Sequence, residues 1–216
     1  MRTAVILGAT GLVGKALMKQ LLEDSDFSQV KVLVRRSTGI IHAKLKEIVI
    51  NFDEPEEWAH EVIGDVLFAA FGTTLKKAGG KEAQYKVDYS YQFLVARLAA
   101  INSVPDCILV SSAGASIDSK FFYSRMKAEL DRDVAKLDFD RLVIMKPSML
   151  IGEREDSRMG ETVGSIIMKA LFWIPGIRKY RPIPGTIVAQ AMIHAYKNPG
   201  VHPITQYSLD TLFDMN

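Results

Sequence analysis

A chain of 216 residues, 48% apolar and 24% charged, has the size and composition of one globular domain, or one and a half, with a substantial core. Its formal net charge of +2 supplies neither a basic field for nucleic acid nor an acidic tail, and its single cysteine, Cys107, excludes an internal disulfide and any multi-cysteine metal site. No stretch has the length of a membrane span, and Met1-Arg2-Thr3 runs directly into an apolar segment without room for a signal peptide. These features predict a cytoplasmic protein with no membrane or nucleic-acid partner. The four histidines are scattered singly, so no metal site is expected.

Thr3–Leu7 is a short apolar run with the composition of a buried strand. Gly8, Gly11 and Gly14 follow at three-residue intervals, and Ala16, Leu17, Leu21 and Leu22 continue at helical spacing. The segment therefore reads as strand, tight turn, helix. The unpaired N–H groups and the positive dipole end of that helix form a seat for phosphate, which makes Gly8, Ala9, Thr10, Gly11, Leu12, Val13 and Gly14 the candidate dinucleotide contacts. A Walker-type loop does not fit: five residues separate Gly8 from Gly14, and Ala16 stands where a magnesium-binding hydroxyl belongs.

Val30–Val34 is the second strand and ends in Arg35-Arg36. In a doubly wound sheet the end of this strand faces the adenosine ribose, where a carboxylate would suit the 2′-hydroxyl of NAD. Two guanidinium groups suit a 2′-phosphate instead, so NADP(H) is expected over NAD(H). Glu47–Asn51 is a third strand; Asp53 after it stands either to accept from the adenine amino group or to cap the helix that Pro55 signals. Asp65–Phe71 is a fourth, and Phe71, Gly72 and Thr73 at its end are candidate cofactor contacts because a glycine there admits close backbone approach. Lys76–Lys81 reads as a mobile loop, and Glu82–Asn102 as a long helix with a broad apolar face.

Cys107–Val110, the fifth strand, runs into Ser111-Ser112-Ala113-Gly114. The cysteine reads as a buried structural thiol. Tyr123 and Lys127 are four residues apart, about one helical turn, and so share a face. An ammonium held beside a phenol lowers its pKa and makes it a usable acid or base. A serine hydroxyl at the strand end is placed to hold a reacting oxygen.

These segments resemble the short-chain dehydrogenase/reductase superfamily in its atypical or extended branch, and within it the small NAD(P)-binding oxidoreductases similar to the human Tat-interacting protein. The likeness is carried by GATGLVG at Gly8–Gly14, LVRR at Leu33–Arg36, FGTTLKKAG at Phe71–Gly79, LVSSAGA at Leu109–Ala115, YSRMKAELD at Tyr123–Asp131, and the segment Phe139–Glu161. The resemblance implies Tyr123 as proton donor or acceptor, Lys127 as its partner and ribose anchor, and Ser112 as the hydroxyl on the reacting oxygen, with Ser111 as its rival. It also sets the turn after the sixth strand, Arg141–Met145, against the nicotinamide, making Pro147, Met149 and Leu150 cofactor contacts; a plain strand-ending turn explains the same residues.

Gly152–Gly160 is a charged segment in which Arg158 is the candidate substrate contact, and Thr162–Trp173 an apolar-faced helix. A further helix reaches about Lys197, and Ile204–Leu209 is a candidate last strand. The expected fold is an α/β, doubly wound, mainly parallel Rossmann sheet of order 3-2-1-4-5-6, with residues 1–151 as the NADP-binding core and 152–216 as a small substrate-side lobe packed on it. The expected activity is NADPH-dependent reduction of a carbonyl-type small molecule by a monomer or homodimer. The alternatives are a cofactor-binding sensor acting through a protein partner, and a sugar-type epimerase or dehydratase.

Overall fold

Apolar strands of four to eight residues, each followed by a connection too long for a hairpin, are satisfied by parallel pairing with helices on both faces. The computed structural model describes residues 2–152 and 178–215 and shows that arrangement. Strands β1 (Arg2–Leu7), β2 (Phe27–Val34), β3 (Leu45–Val49), β4 (Val66–Ala69), β5 (Asp106–Val110) and β6 (Arg141–Lys146) lie in the order β3-β2-β1-β4-β5-β6, all parallel, as expected. Strand β9 (Ile204–Ser208) adds a seventh, paired in parallel with β6. A separate two-stranded ladder joins β7 (Leu150–Ile151) to β8 (Ile183–Pro184).

Alternation along the strands feeds two cores. On one face Ile6, Val32, Phe68, Ile108 and Val143 pack with Leu17 and Leu21 of helix α1 (Leu12–Glu23) and with Val188 and Met192 of α7 (Gly185–Lys197). On the other, Val5, Leu67, Cys107, Leu109 and Ile144 pack with Trp58, with Val95 and Ala99 of α5 (Gln92–Ile101), and with Leu130 and Val134 of α6 (Phe122–Val134). Cys107 is fully buried, which pushes its thiol pKa up, in keeping with a structural role. Helix α7 and strand β9 fall within the span assigned to a substrate-side lobe, yet they complete the first core and the sheet edge. Arg158 and the Thr162–Trp173 helix lie outside the described residues.

Two connections depart from expectation. Lys76–Lys81 is not an irregular loop: Thr74 accepts the Lys77 amide at 3.2 Å and caps the short helix α3 (Leu75–Ala78), which Gly79 ends at φ +86°. The long helix is continuous through α4 (Lys81–Tyr85) and α5, but the turn between them, Lys86–Tyr91, is π-helical. That wider turn carries Asp88 into the interior, where it is 2% exposed. Asp53 does not cap α2 (Pro55–Trp58); Glu54 is the capping position, and the Asp53 carboxylate instead binds Lys86 Nζ and accepts from Tyr91 Oη, both at 2.9 Å. No helix among the described residues is long and apolar enough to cross a membrane.

At the end of the sheet where the strands begin, Arg141 is a clamp. It grips Asp106 through Nε at 2.8 Å and Nη2 at 3.0 Å, and donates to the carbonyls of Ala195 and Tyr196 at the last turn of α7, both at 3.0 Å. Its guanidinium also lies 5.6 Å from the Tyr196 ring centroid. A partly buried fork that answers a carboxylate and two helix-end carbonyls at once leaves all of them unsatisfied when removed. Arg141→Met is expected to lower unfolding free energy by about 2–4 kcal/mol, read from urea denaturation, with α7 the first element to lose hydrogen-exchange protection.

Candidate active site and dinucleotide cleft

The turn after β1 is shaped by contact distances. Gly8 has φ +95°, and a Cβ there would lie 2.4 Å from the Ala70 carbonyl oxygen. A Cβ on Gly14 would lie 2.1 Å from the Gly8 carbonyl oxygen, so helix α1 crosses its own entry turn at a distance only glycine allows. Gly11 is the N-terminal capping position, without a side-chain cap, and the first turn of α1 carries no acidic residue. Uncapped amides, a dipole end and no competing carboxylate fit a bound pyrophosphate. These residues fit the dinucleotide that the sequence pattern implies.

In front of this turn lies a cleft of about 2060 Å³. Thr10, Gly11, Leu12, Val13, Phe71, Gly72, Thr73, Ser112, Tyr123, Lys127, Pro147, Met149 and Leu150 line it. Gly8, Ala9 and Gly14 are buried behind its wall and shape it through the backbone. Arg35 and Arg36 are exposed on the turn after β2; Ile40 and His42, further along the same connection, reach the lining. Asp53 is outside the lining and held by Lys86 and Tyr91.

Helix α6 aligns Tyr123 and Lys127 one turn apart. Tyr123 is 42% exposed toward the cleft, whereas Lys127 is 3% exposed and its Nζ donates to the Val110 carbonyl at 3.0 Å. The two serines part company here. Both line the cleft, but Ser111 is buried and its hydroxyl donates to Asp131 Oδ2 at 2.8 Å. The Ser111 hydroxyl proton is therefore committed to Asp131.

The electrostatics differ from expectation. Lys127 was expected to lower the Tyr123 phenol; instead the phenol is pushed up to about 12 by burial, reinforced by the carboxylates of Asp88 and Asp131. The reason is that the ammonium is turned to a backbone carbonyl and shares its surroundings with those same carboxylates. Burial holds Lys127 below the usual lysine range, while Asp88 and Asp131 draw it part of the way back. Asp88 is pushed up to about 6 by burial, against the opposing pull of Lys127 and of the Thr73 amide, which donates to Asp88 Oδ2 at 2.8 Å. Asp88, Asp131 and the buried Gln84, whose amide donates to the Thr73 carbonyl at 3.3 Å, are site residues that pattern reading missed. The available signal was a carboxylate at an apolar position of a helix, and another one turn beyond Lys127.

Comparison with known proteins agrees with this geometry. A family model described as NAD(P)H-binding matches residues 8–163. The chain belongs to this NAD(P)H-binding family. It is 34% identical over 207 residues to the mitochondrial protein FMP52 of Saccharomyces cerevisiae, covering 90% of this chain and 87% of that one. It is 38% identical over 159 residues to the FMP52 protein of Eremothecium gossypii, covering 73% and 70%. Both relatives are named as mitochondrial proteins, which overturns the expectation of a cytoplasmic location. Among solved structures, a short-chain dehydrogenase/reductase superfamily protein of Agrobacterium tumefaciens with bound NAD superposes with a TM-score of 0.72 at 11% identity, over 96% of this chain and 78% of that one. The UDP-glucose 4-epimerase of Thermotoga maritima gives 0.68 at 14%, over 96% and 76%. At such identities the likeness is one of fold, a Rossmann sheet of the dehydrogenase and epimerase kind.

Two outcomes follow for this NAD(P)H-binding protein. Gly14→Ala forces a methyl onto the Gly8 carbonyl, so it is expected to cost about 1–3 kcal/mol and to abolish the NAD(P)H fluorescence enhancement expected of the parent protein. Asp88 has a folded pKa of about 6 against an ordinary 3.8, so between those values the folded chain holds a proton that the unfolded chain releases. Its contribution is therefore fully present below the lower value and is lost as pH rises through the upper one. The stability of the parent relative to Asp88→Asn is expected to fall by on the order of 2–3 kcal/mol between pH 4 and pH 7 in urea titrations.

Proposed function

We propose that this NAD(P)H-binding protein is an NADPH-dependent oxidoreductase that reduces a carbonyl-type small molecule, a short-chain dehydrogenase/reductase of the subgroup similar to the human Tat-interacting protein. The observation that supports it best is the meeting of three features in one cleft: the uncapped start of α1, the Tyr123 phenol and the Ser112 position. Bound NADPH supplies the hydride. Ser112 holds the carbonyl oxygen, and Tyr123 donates its proton to that oxygen as the carbon is reduced. A phenol pushed up to about 12 is protonated at neutral pH, as an ordinary tyrosine is, but is a weaker acid, so catalysis requires that bound cofactor and substrate offset part of that rise.

Lys127 supports the phenol from behind. Its buried ammonium keeps one hydrogen bond to Val110 and leaves donors for a ribose hydroxyl at the cleft floor. Arg35 and Arg36, exposed at the carboxyl end of β2, support NADPH over NADH through a 2′-phosphate. Pro147, Met149 and Leu150 support a nicotinamide-side role by lining the same cleft.

The test pairs binding with turnover. NADPH is expected to bind at least tenfold more tightly than NADH in fluorescence titrations, and Arg35→Ala with Arg36→Ala to remove that preference; equal affinities for the parent protein refute the arginine argument. Against a panel of aldehydes and ketones, Tyr123→Phe is expected to lower NADPH consumption by roughly a hundredfold or more without weakening NADPH binding. Turnover unchanged in that variant removes Tyr123 from the chemistry, and NAD(H) carried through purification favours an epimerase-type reaction.

A further inference from the structure

Asp131 lies on the same face of α6 as Tyr123 and Lys127, about two turns past the first and one past the second, and is 6% exposed. Its Oδ2 accepts from Ser111 Oγ at 2.8 Å and pairs with Lys146 Nζ at 3.2 Å. Its Oδ1 is buried without a hydrogen-bond partner among the described residues. Ser111 begins the turn that presents Ser112, and Lys146 ends β6 immediately before the turn of Pro147, Met149 and Leu150. The same two turns meet through the backbone, where the Ser111 amide donates to Met145 at 2.7 Å and the Ala113 amide donates to Pro147 at 3.0 Å.

A buried carboxylate is retained at a cost unless its charge is answered, and here it is answered from two different strands. Resting on the reading given under Proposed function, we propose that Asp131 is a positioning residue: its carboxylate joins the turn after β5 to the turn after β6 and so sets Ser112 and the Pro147 turn on the two sides of Tyr123. The charged and titratable groups that interact with it are Lys127 and Tyr123 from α6 and Lys146 from β6. The Ser111 hydroxyl reaches it from the end of β5. Neutralising Asp131 removes one of the two carboxylates that add to the rise burial gives the Tyr123 phenol.

The experiment is Asp131→Asn, with Ser111→Ala as the milder variant should the first fail to fold. Amide hydrogen exchange is measured at Ala113 and at a core reference, Leu109, and the Tyr123 ring carbon is titrated by NMR. For Asp131→Asn the expected result is Ala113 exchange at least about tenfold faster relative to Leu109, together with a lower midpoint for Tyr123. Ser111→Ala should speed Ala113 exchange in the same direction and leave the Tyr123 midpoint within error. A uniform rise in exchange, or an unmoved Tyr123 midpoint in Asp131→Asn, shows packing alone and overturns the proposal. These readouts need neither substrate nor cofactor, so an absence of reductase activity in the parent defeats the functional reading without deciding the role of Asp131.

Discussion

The structure depends on how closely one helix approaches the strand that leads into it. A side-chain carbon at position 14 would sit 2.1 Å from the Gly8 carbonyl oxygen, and one at position 8 would meet Ala70 at 2.4 Å. Those two exclusions draw β1, α1 and the end of β4 to a single point. Everything proposed for the cleft is arranged around the amides exposed there, with the β4 turn and then the serine turn after β5 following in sheet order on one side of β1. Gly185 extends the same constraint, since a Cβ there would lie 2.8 Å from the Leu12 carbonyl oxygen at the start of α1.

The phenol at the cleft is governed by a buried set of charges rather than by one neighbour. Lys127 is surrounded by a backbone carbonyl and two carboxylates, so its positive field is answered before it reaches Tyr123. Burial raises the phenol and lowers the amine, as it does for any ionisable pair taken out of water. The carboxylates add to the first effect and oppose the second. The arrangement leaves Tyr123 a weaker acid than an ordinary tyrosine.

Much of this was legible in the order of residues, for a physical reason. Parallel strands buried on both faces read as short continuous apolar runs, and β1, β2, β4, β5 and β6 each carry one, so sheet order and the cleft's position at the strand ends followed. The Tyr123–Lys127 spacing was visible because helical neighbours recur at four. What could not be read is set by contacts between segments distant in sequence. The lone pairs of Asp53 go to Lys86 and Tyr91, more than thirty residues away, so a local helix-start signal misplaced them. The Ser111 hydroxyl likewise goes to Asp131, twenty residues on. The direction of the phenol's shift required knowing where the Lys127 amine points, which spacing alone does not give.

The π-helical turn at Lys86–Tyr91 has a consequence for how the cofactor side of the cleft is held. A π turn holds an extra residue, so the helix surfaces before and after it are out of phase. Gln84 from the first half and Asp88 from the turn both aim at Thr73, while Val95 and Ala99 in the second half stay on the core. One helix thereby serves two masters with different periodicity, a polar grip on the β4 turn and an apolar seat on the sheet. A chain shortened by one residue within this turn would keep a regular helix and an intact core, yet would swing its carboxylate away from the cleft.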